Sequence, residues 1–314
     1  MSEPQPAPDP RMDLYAAPQR LVRVGRRRRL NVLLTGEGPV TVILGAGGGG
    51  STIHWGHVQA ALSENCRVLS YDRAGMGFSD PGPLPRTTGR SVDDLRAALA
   101  ALHLAPPYVV VGHSMGSFDA RLFAFRYPHE VVGMVLVDPR GDDMNERLFA
   151  AAPSFVARYA EERRTLRRYA AIAARRPDPG SPEFAEIVQP PDPQLTPAVN
   201  AAFRDQALRA SFWRTLLSEG RCLDGASAAE LDEAKRSLDI PLIVLTASQA
   251  ALQGETPEEN RAIVEMWRAS HEALALLSTR GARRDVPDVG HMIPTERPDV
   301  VVAAIREVMD AGRG

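Results

Sequence analysis

Cysteine is almost missing from this chain: Cys66 and Cys222 are the only two in 314 residues. Two isolated thiols build neither a disulfide framework nor a metal-ligand set, and they ordinarily serve as small buried apolar side chains. An excess of one charge is missing too. Lys and Arg number 37 against 39 Asp and Glu, a formal net charge of −2, so no global field draws nucleic acid or an anionic membrane. The local exception is Arg26-Arg27-Arg28-Arg29, which runs into Leu30-Asn31-Val32-Leu33-Leu34. It reads as solvated arginines at a strand start, because no second basic stretch or interleaved aromatics accompany it. No apolar run approaches the length of a bilayer span. The opening MSEPQPAPDPRMDLYAAPQR is polar and proline-rich, without the apolar segment of a secretory leader. The expectation is a cytoplasmic protein that works on a small molecule, with no nucleic-acid or membrane partner.

What the chain does have is alternating periodicity. Apolar, often β-branched runs at 21–24, 30–34, 40–44, 68–71, 108–111, 131–137 and 241–246 read as strands, several buried on both faces. Helical patterns at 91–104, 115–126, 260–277 and 298–309 separate the later ones. Such alternation predicts an α/β fold, a mostly parallel central sheet flanked by helices. Short glycine turns join the first strands, so the sheet is expected to begin antiparallel. Residues 1–17 read as a flexible lead, and 18–139 with 239–314 as the core. Residues 140–238, rich in Ala, Arg and Glu, carry no strand pattern. They read as a helical cap inserted between strands 6 and 7, over the carboxyl edge where open α/β sheets bind ligands. Phe155, Tyr159, Phe203 and Trp213 are its candidate lining residues.

The strongest chemical signal is Tyr108-Val-Val-Val-Gly112-His113-Ser114-Met115-Gly116: an apolar strand, G-x-S-x-G, then a helical run. A serine on a sharp strand-to-helix turn needs glycine two places either side, because side chains there would collide. Its hydroxyl then stands clear of the sheet at the positive end of the next helix. The pattern alone is weak, and the strand and helix around it make it specific. A serine nucleophile needs a base from elsewhere, and His291, in Val289-Gly290-His291-Met292 before the terminal helix, is the best placed of seven histidines. His113 is expected to point away from the nucleophile. His54 and His57, three apart, have no carboxylate or cysteine close in sequence and read as helix-surface or pocket-wall residues, not metal ligands. The oxyanion would be held by two backbone N–H groups, one of Met115 after the nucleophile and one from the loop Gly45-Ala46-Gly47-Gly48-Gly49-Gly50.

With these motifs the chain resembles the α/β-hydrolase superfamily over nearly all its length outside the lead and the cap. Tyr71-Asp72-Arg73-Ala74-Gly75-Met76-Gly77-Phe78-Ser79 is similar to that family's D-x-x-G-x-G-x-S turn, which makes Asp72 a structural residue. Gly290-His291 followed by Pro298 resembles its closing histidine motif. The resemblance places the second oxyanion donor at Gly48 and implies a capped, esterase- or lipase-like serine hydrolase with no cofactor. Ala46 departs from the histidine that many relatives carry there, which should change how the loop is supported. Serine at the elbow speaks against dehalogenase and epoxide-hydrolase chemistry, which uses aspartate there. The acid of the triad is open at this stage. The usual position beyond the strand after the cap holds no carboxylate before Glu255, whereas Asp138 ends the preceding strand and would fix the histidine tautomer. Asp138 is the expected acid, Glu255 the alternative.

The implied reaction is cleavage of a carboxylic ester or related acyl bond by Ser114, His291 and Asp138. Lactone, thioester or amide cleavage, lyase or acyl-transfer chemistry and a non-catalytic ligand-binding role are alternatives on the same fold. From another class, Gly45-x-Gly47-x-x-Gly50 with Asp72 formally matches a dinucleotide fingerprint. That reading leaves the elbow and Gly290-His291 unexplained.

Overall fold

The computed structural model describes residues 8–249 and 252–312. Eight strands form one sheet: β1 (Arg20–Arg23), β2 (Arg29–Thr35), β3 (Thr41–Gly45), β4 (Arg67–Tyr71), β5 (Tyr108–His113), β6 (Val131–Val137), β7 (Leu238–Ala247) and β8 (Ser278–Val286). Their order is β1-β2-β4-β3-β5-β6-β7-β8. β2 runs antiparallel to β1 and β4, and all later pairings are parallel. This is the α/β-hydrolase fold that the motifs imply.

Side chains alternate between the two faces of each strand, and two apolar layers result. Ile43, Leu69, Val110 and Leu136 point to one side, against α2 (Thr88–Ala101) and α3 (Gly116–Arg126). Val42, Leu44, Val111 and Val135 point to the other, against α1 (Gly56–Leu62) and, near the C-terminus, Val301, Ile305 and Val308. Both faces are covered, which is why these strands read as continuous apolar runs.

Six helices lie between β6 and β7: α4 (Met144–Ala151), α5 (Ser154–Arg175), α6 (Pro182–Ile187), α7 (Pro197–Ala207), α8 (Ala210–Leu223) and α9 (Ala226–Ala234). No strand occurs there among the described residues. After β7 come α10 (Pro257–Ala275), β8, α11 (Ile293–Glu296) and α12 (Pro298–Ala311). None of these helices is long and apolar enough to cross a membrane.

Three expectations need correction. β8, Ser-Thr-Arg-Gly-Ala-Arg-Arg-Asp-Val, lacks any strand pattern in sequence. It is an edge strand whose middle is largely exposed, and charged residues are what such an edge tolerates. The lead is not featureless: its residues 1–7 lie outside the described residues, but Pro10–Ala16 forms a 3-10 turn capped by Asp9. Tyr15 is buried there against Ile53 and Val199, since proline at a first helical position costs no hydrogen bond and one aromatic anchor is enough to dock the turn. Of the four consecutive arginines, only Arg26 and Arg27 extend freely into solvent. Arg28 pairs with buried Asp94 at 2.6 Å and Arg29 with Asp80 at 3.2 Å.

Candidate active site

The parallel strands deliver the chemical groups to one edge. β3 ends in the glycine loop, β5 in Ser114, β6 in Asp138, and the loop after β8 carries His291. Ser114 adopts φ +51°, the left-handed region that a non-glycine residue enters only when its surroundings hold it there. They do so here. Ser114 N–H donates to Val137 O at 3.0 Å, and Ser114 O accepts from Arg140 N at 3.0 Å and Ser117 N at 3.1 Å. A Cβ on Gly112 would lie 2.5 Å from Gly116 O, and one on Gly116 2.6 Å from Gly45 O and Ala46 O. Both glycines of G-x-S-x-G are therefore steric requirements.

Asp138 also lies at positive φ, +38°, fixed by its N–H to Leu245 O at 2.8 Å across to β7. Its carboxylate is fully buried. Oδ2 accepts from His291 Nδ1 at 2.6 Å, and Oδ1 accepts from Ala247 N at 3.0 Å and Trp267 Nε1 at 3.1 Å. Burial would raise this carboxyl's pKa. The bond and charge of His291, with help from His271 and Ala247 N–H, more than offset burial and hold it below the usual carboxylate range. A carboxylate can only accept, so His291 carries its proton on Nδ1 and presents Nε2 as a base. Glu255 is exposed on the α10 approach, its N–H bonded to Glu259, and it takes no part in this arrangement.

Ser114 Oγ makes no hydrogen bond to His291 among the described residues. His291 instead packs on His113, the rings lying 4.7 Å apart between centroids. Such nucleophile–base contacts commonly tighten only when a substrate is in place. His113 is tied to the His291 loop, because its Nε2 donates to the backbone carbonyl of His291 at 2.9 Å. Burial first, then the neighbouring His291, push its pKa down to about 3, so it stays neutral.

In the glycine loop, Gly50 N–H donates to Gly47 O at 3.1 Å and Gly49 has φ +68°. Gly48 is thus the second residue of a type II turn. The N–H groups of Gly48 and Met115 donate to no acceptor among the described residues, and both residues line one cavity of about 510 Å³ together with Ser114. Phe155 and Tyr159 line it as well. Phe203 and Trp213 do not, contrary to expectation: Phe203 joins the Tyr15 cluster, and Trp213 packs on Tyr169 and Phe212 with Nε1 bonded to Ala207 O. Trp213 thus holds helices of the insertion together, and Phe203 holds the insertion to the N-terminal turn.

A sequence profile of the alpha/beta hydrolase family matches residues 42–304. The chain belongs to that family. Among curated relatives it is similar to the uncharacterized protein YqjL of Bacillus subtilis, 36% identical over 33% of this chain and 41% of the relative. It is also similar to an AB hydrolase superfamily protein of Gibberella zeae, 31% identical over 38% of each. The chain therefore spans well under half the length of these curated relatives. Of solved structures, a thermophilic esterase from Thermogutta terrifontis is similar at 24% identity and TM-score 0.57, covering 94% of this chain and 98% of that one. The enol-lactonase of Burkholderia xenovorans LB400 is similar at 19% identity and TM-score 0.59, over 92% and 96%. Likeness at these identities speaks to the fold.

Several supporting residues of this hydrolase-family site escape a reading of the sequence. Trp267 and His271, four apart on α10, brace Asp138 and its neighbour: Trp267 Nε1 donates to Asp138 Oδ1, His271 Nε2 donates to Pro139 O at 2.9 Å, and its Nδ1 accepts from Thr246 Oγ1 at 2.8 Å. In sequence they look like ordinary core residues of an amphipathic helix. Arg73 supports the glycine loop. Buried, it donates to Ala46 O, to Gly47 O at 2.7 Å and to Glu219 of α8 at 3.0 Å, so one guanidinium ties the glycine loop to the insertion. Asp72 is the turn aspartate expected of it, accepting from Thr52 N, Asn31 Nδ2 and Phe78 N at 2.7, 2.8 and 2.9 Å. With that carboxylate fully engaged, the dinucleotide reading of the glycine loop has no ribose ligand.

Behind Arg73 lies Asp119 of α3, which accepts from Ser91 Oγ at 2.7 Å. Burial, only partly countered by Arg73, pushes its carboxyl up to about 6. Its stabilising contribution is fully present below the unfolded pKa near 3.8 and is lost as pH rises through about 6. Asp119→Asn is therefore expected to raise the thermal stability above that pH, by a free energy on the order of 2 kcal/mol. It should also flatten the stability profile between the two pKa values. Thermal melts of both proteins across this range check it, and a variant less stable than wild type above the upper pKa would contradict it.

Proposed function

We propose that the protein hydrolyses carboxylic esters through a covalent acyl-enzyme, with Ser114 as nucleophile, His291 as general base, and Asp138 holding the imidazole. The observation that carries this reading is the coincidence of a strained, glycine-flanked Ser114 with the buried Asp138–His291 couple on neighbouring strand ends.

His291 Nε2 takes the Ser114 proton as Oγ attacks the ester carbonyl carbon. The C=O bond opens to an oxyanion, received by the N–H groups of Gly48 and Met115. Collapse breaks the bond to the alcohol oxygen, which leaves with the proton from His291. Water then gives His291 a proton as it attacks the acyl carbon. The acid departs, and Ser114 recovers its hydrogen. No step calls on a metal or cofactor. Residues 140–238 act as a cap whose α4, α5 and α8 faces bound the acyl pocket. Serine at the elbow, where the dehalogenases and epoxide hydrolases of the resembled superfamily carry aspartate, separates this chemistry from theirs.

A panel of 4-nitrophenyl esters of graded acyl length tests the reading, with Gly48→Pro as its most informative variant. Proline suits the second position of a type II turn, and a Cβ there would meet nothing closer than Met115 Sδ at 3.9 Å. The substitution removes the N–H and sets the ring's Cδ in its place, so the donor is lost while the turn is kept. Turnover on the panel is expected to fall about 10²–10³-fold with an unchanged melt. A well-folded variant at full rate would move the second donor elsewhere, and a wild type inert on every ester would overturn the function.

A further inference from the structure

The cavity above Ser114 is apolar over much of its wall, but α5 contributes two arginines that carry no acidic partner. Arg158 donates through Nη1 to the backbone carbonyl of Gln253 at 2.6 Å and lies 4.2 Å over the Phe155 ring. Arg163 donates through Nη2 to Tyr159 OH at 2.9 Å and lies 4.4 Å over the Tyr159 ring. Neither is ion-paired among the described residues. The contrast lies on the same helix: Arg164 and Arg168, absent from the cavity wall, pair with Glu161 and Glu186, each at 2.6 Å. The third guanidinium of the wall, Arg140, is neutralised by Asp224 at 2.9 Å. A guanidinium held by an aromatic face and a neutral acceptor keeps several N–H donors free and its direction fixed. Two such groups facing an ester-sized cavity are a ready site for an anion.

We propose that the substrate is an ester bearing a single carboxylate remote from the scissile bond, recognised by Arg158 and Arg163. The inference rests on the ester-hydrolase reading of the same site. The charge count favours a monoanion: Glu162 is the remaining acidic residue of the wall. With Arg140 neutralised, Arg158 and Arg163 against Glu162 leave an excess of one positive charge. A carboxylate balances that excess, whereas a phosphate dianion exceeds it. The apolar remainder of the wall, with Leu148, Leu216 and Leu252, accommodates the chain between the anion and the reacting carbonyl.

The test compares acids with their methyl esters, which are nearly isosteric and neutral. Mono-4-nitrophenyl glutarate against its methyl ester places the charge on the acyl side. 4-Butyryloxybenzoate against its methyl ester places it on the alcohol side. With kcat/KM normalised to hydroxide hydrolysis, the acid is expected to win by about 10- to 100-fold in at least one pair, the value of one or two charge-assisted hydrogen bonds. Salt near 1 M should shrink that ratio. The double variant Arg158→Gln/Arg163→Gln should bring it close to one, and Arg158→Lys/Arg163→Lys should restore part of it. Equal rates on acid and methyl ester in both pairs would overturn the proposal while leaving the esterase intact. So would a ratio that survives the double Gln variant. A 4-nitrophenyl ester carrying a terminal phosphonate, if preferred to the glutarate, would overturn the carboxylate assignment. A protein inert on all of them would remove the hydrolase reading and this proposal together.

Discussion

Asp138→Asn should cut ester turnover by about 10⁴-fold without unfolding the protein. The side chain is fully buried, with one oxygen committed to Ala247 N and Trp267 Nε1 and the other to His291 Nδ1. Asparagine can satisfy the first two only by keeping its carbonyl oxygen there, because both partners are donors. Its NH₂ then faces His291 Nδ1, which must become an acceptor. The imidazole proton moves to Nε2, and the nitrogen that should take the Ser114 proton is occupied. Geometry is kept and the base is lost. Glu255→Gln should cost little, since Glu255 is exposed and only its backbone N–H is engaged, by Glu259. The same pair of variants measured on one activated ester decides between the two carboxylates, and the opposite pattern of losses would move the acid to Glu255. A second readout follows from the depressed pKa of Asp138. Its contribution to stability is present above the ordinary carboxylate range and is lost as pH falls through the lower folded value. The acid limb of the melt profile should therefore be shallower in Asp138→Asn than in wild type.

Much of the architecture is legible in the sequence, because the interior strands are buried on both faces and announce themselves as apolar runs. β8 is not legible, since an edge strand with exposed arginines has no hydrophobic period to detect. At the site, Ser114 and its glycines can be read from steric need alone, and Asp138 from the lack of a carboxylate where one is commoner. What cannot be read is what holds these residues in place. Arg73 is one letter of a turn motif, and nothing in its neighbourhood says that it crosses to Ala46, Gly47 and Glu219. His113 likewise looks like a bystander until the His291 loop is folded against it. Such partners lie far apart in the chain, and only the closed fold pairs them. The aromatics of the insertion fail for a related reason: nothing in the sequence around Phe155 and Trp213 tells them apart, but one faces the cavity and the other fastens α8 to α5.

The central claim is that Ser114 is the nucleophile, and a fluorophosphonate probe followed by intact mass and peptide mapping tests it most directly. The probe's phosphorus mimics the carbonyl under attack, so it reacts where a serine is both activated and served by an oxyanion site. Wild-type protein is expected to gain one adduct, mapped to the peptide carrying Gly112-His113-Ser114-Met115-Gly116. Ser114→Ala should gain none and lose about 10⁶-fold in turnover. Its melt should stay close to wild type, since the left-handed turn is held by backbone bonds to Val137 and Arg140 that alanine keeps. An adduct that persists in a folded Ser114→Ala, or that maps to another residue in the wild type, would contradict the account.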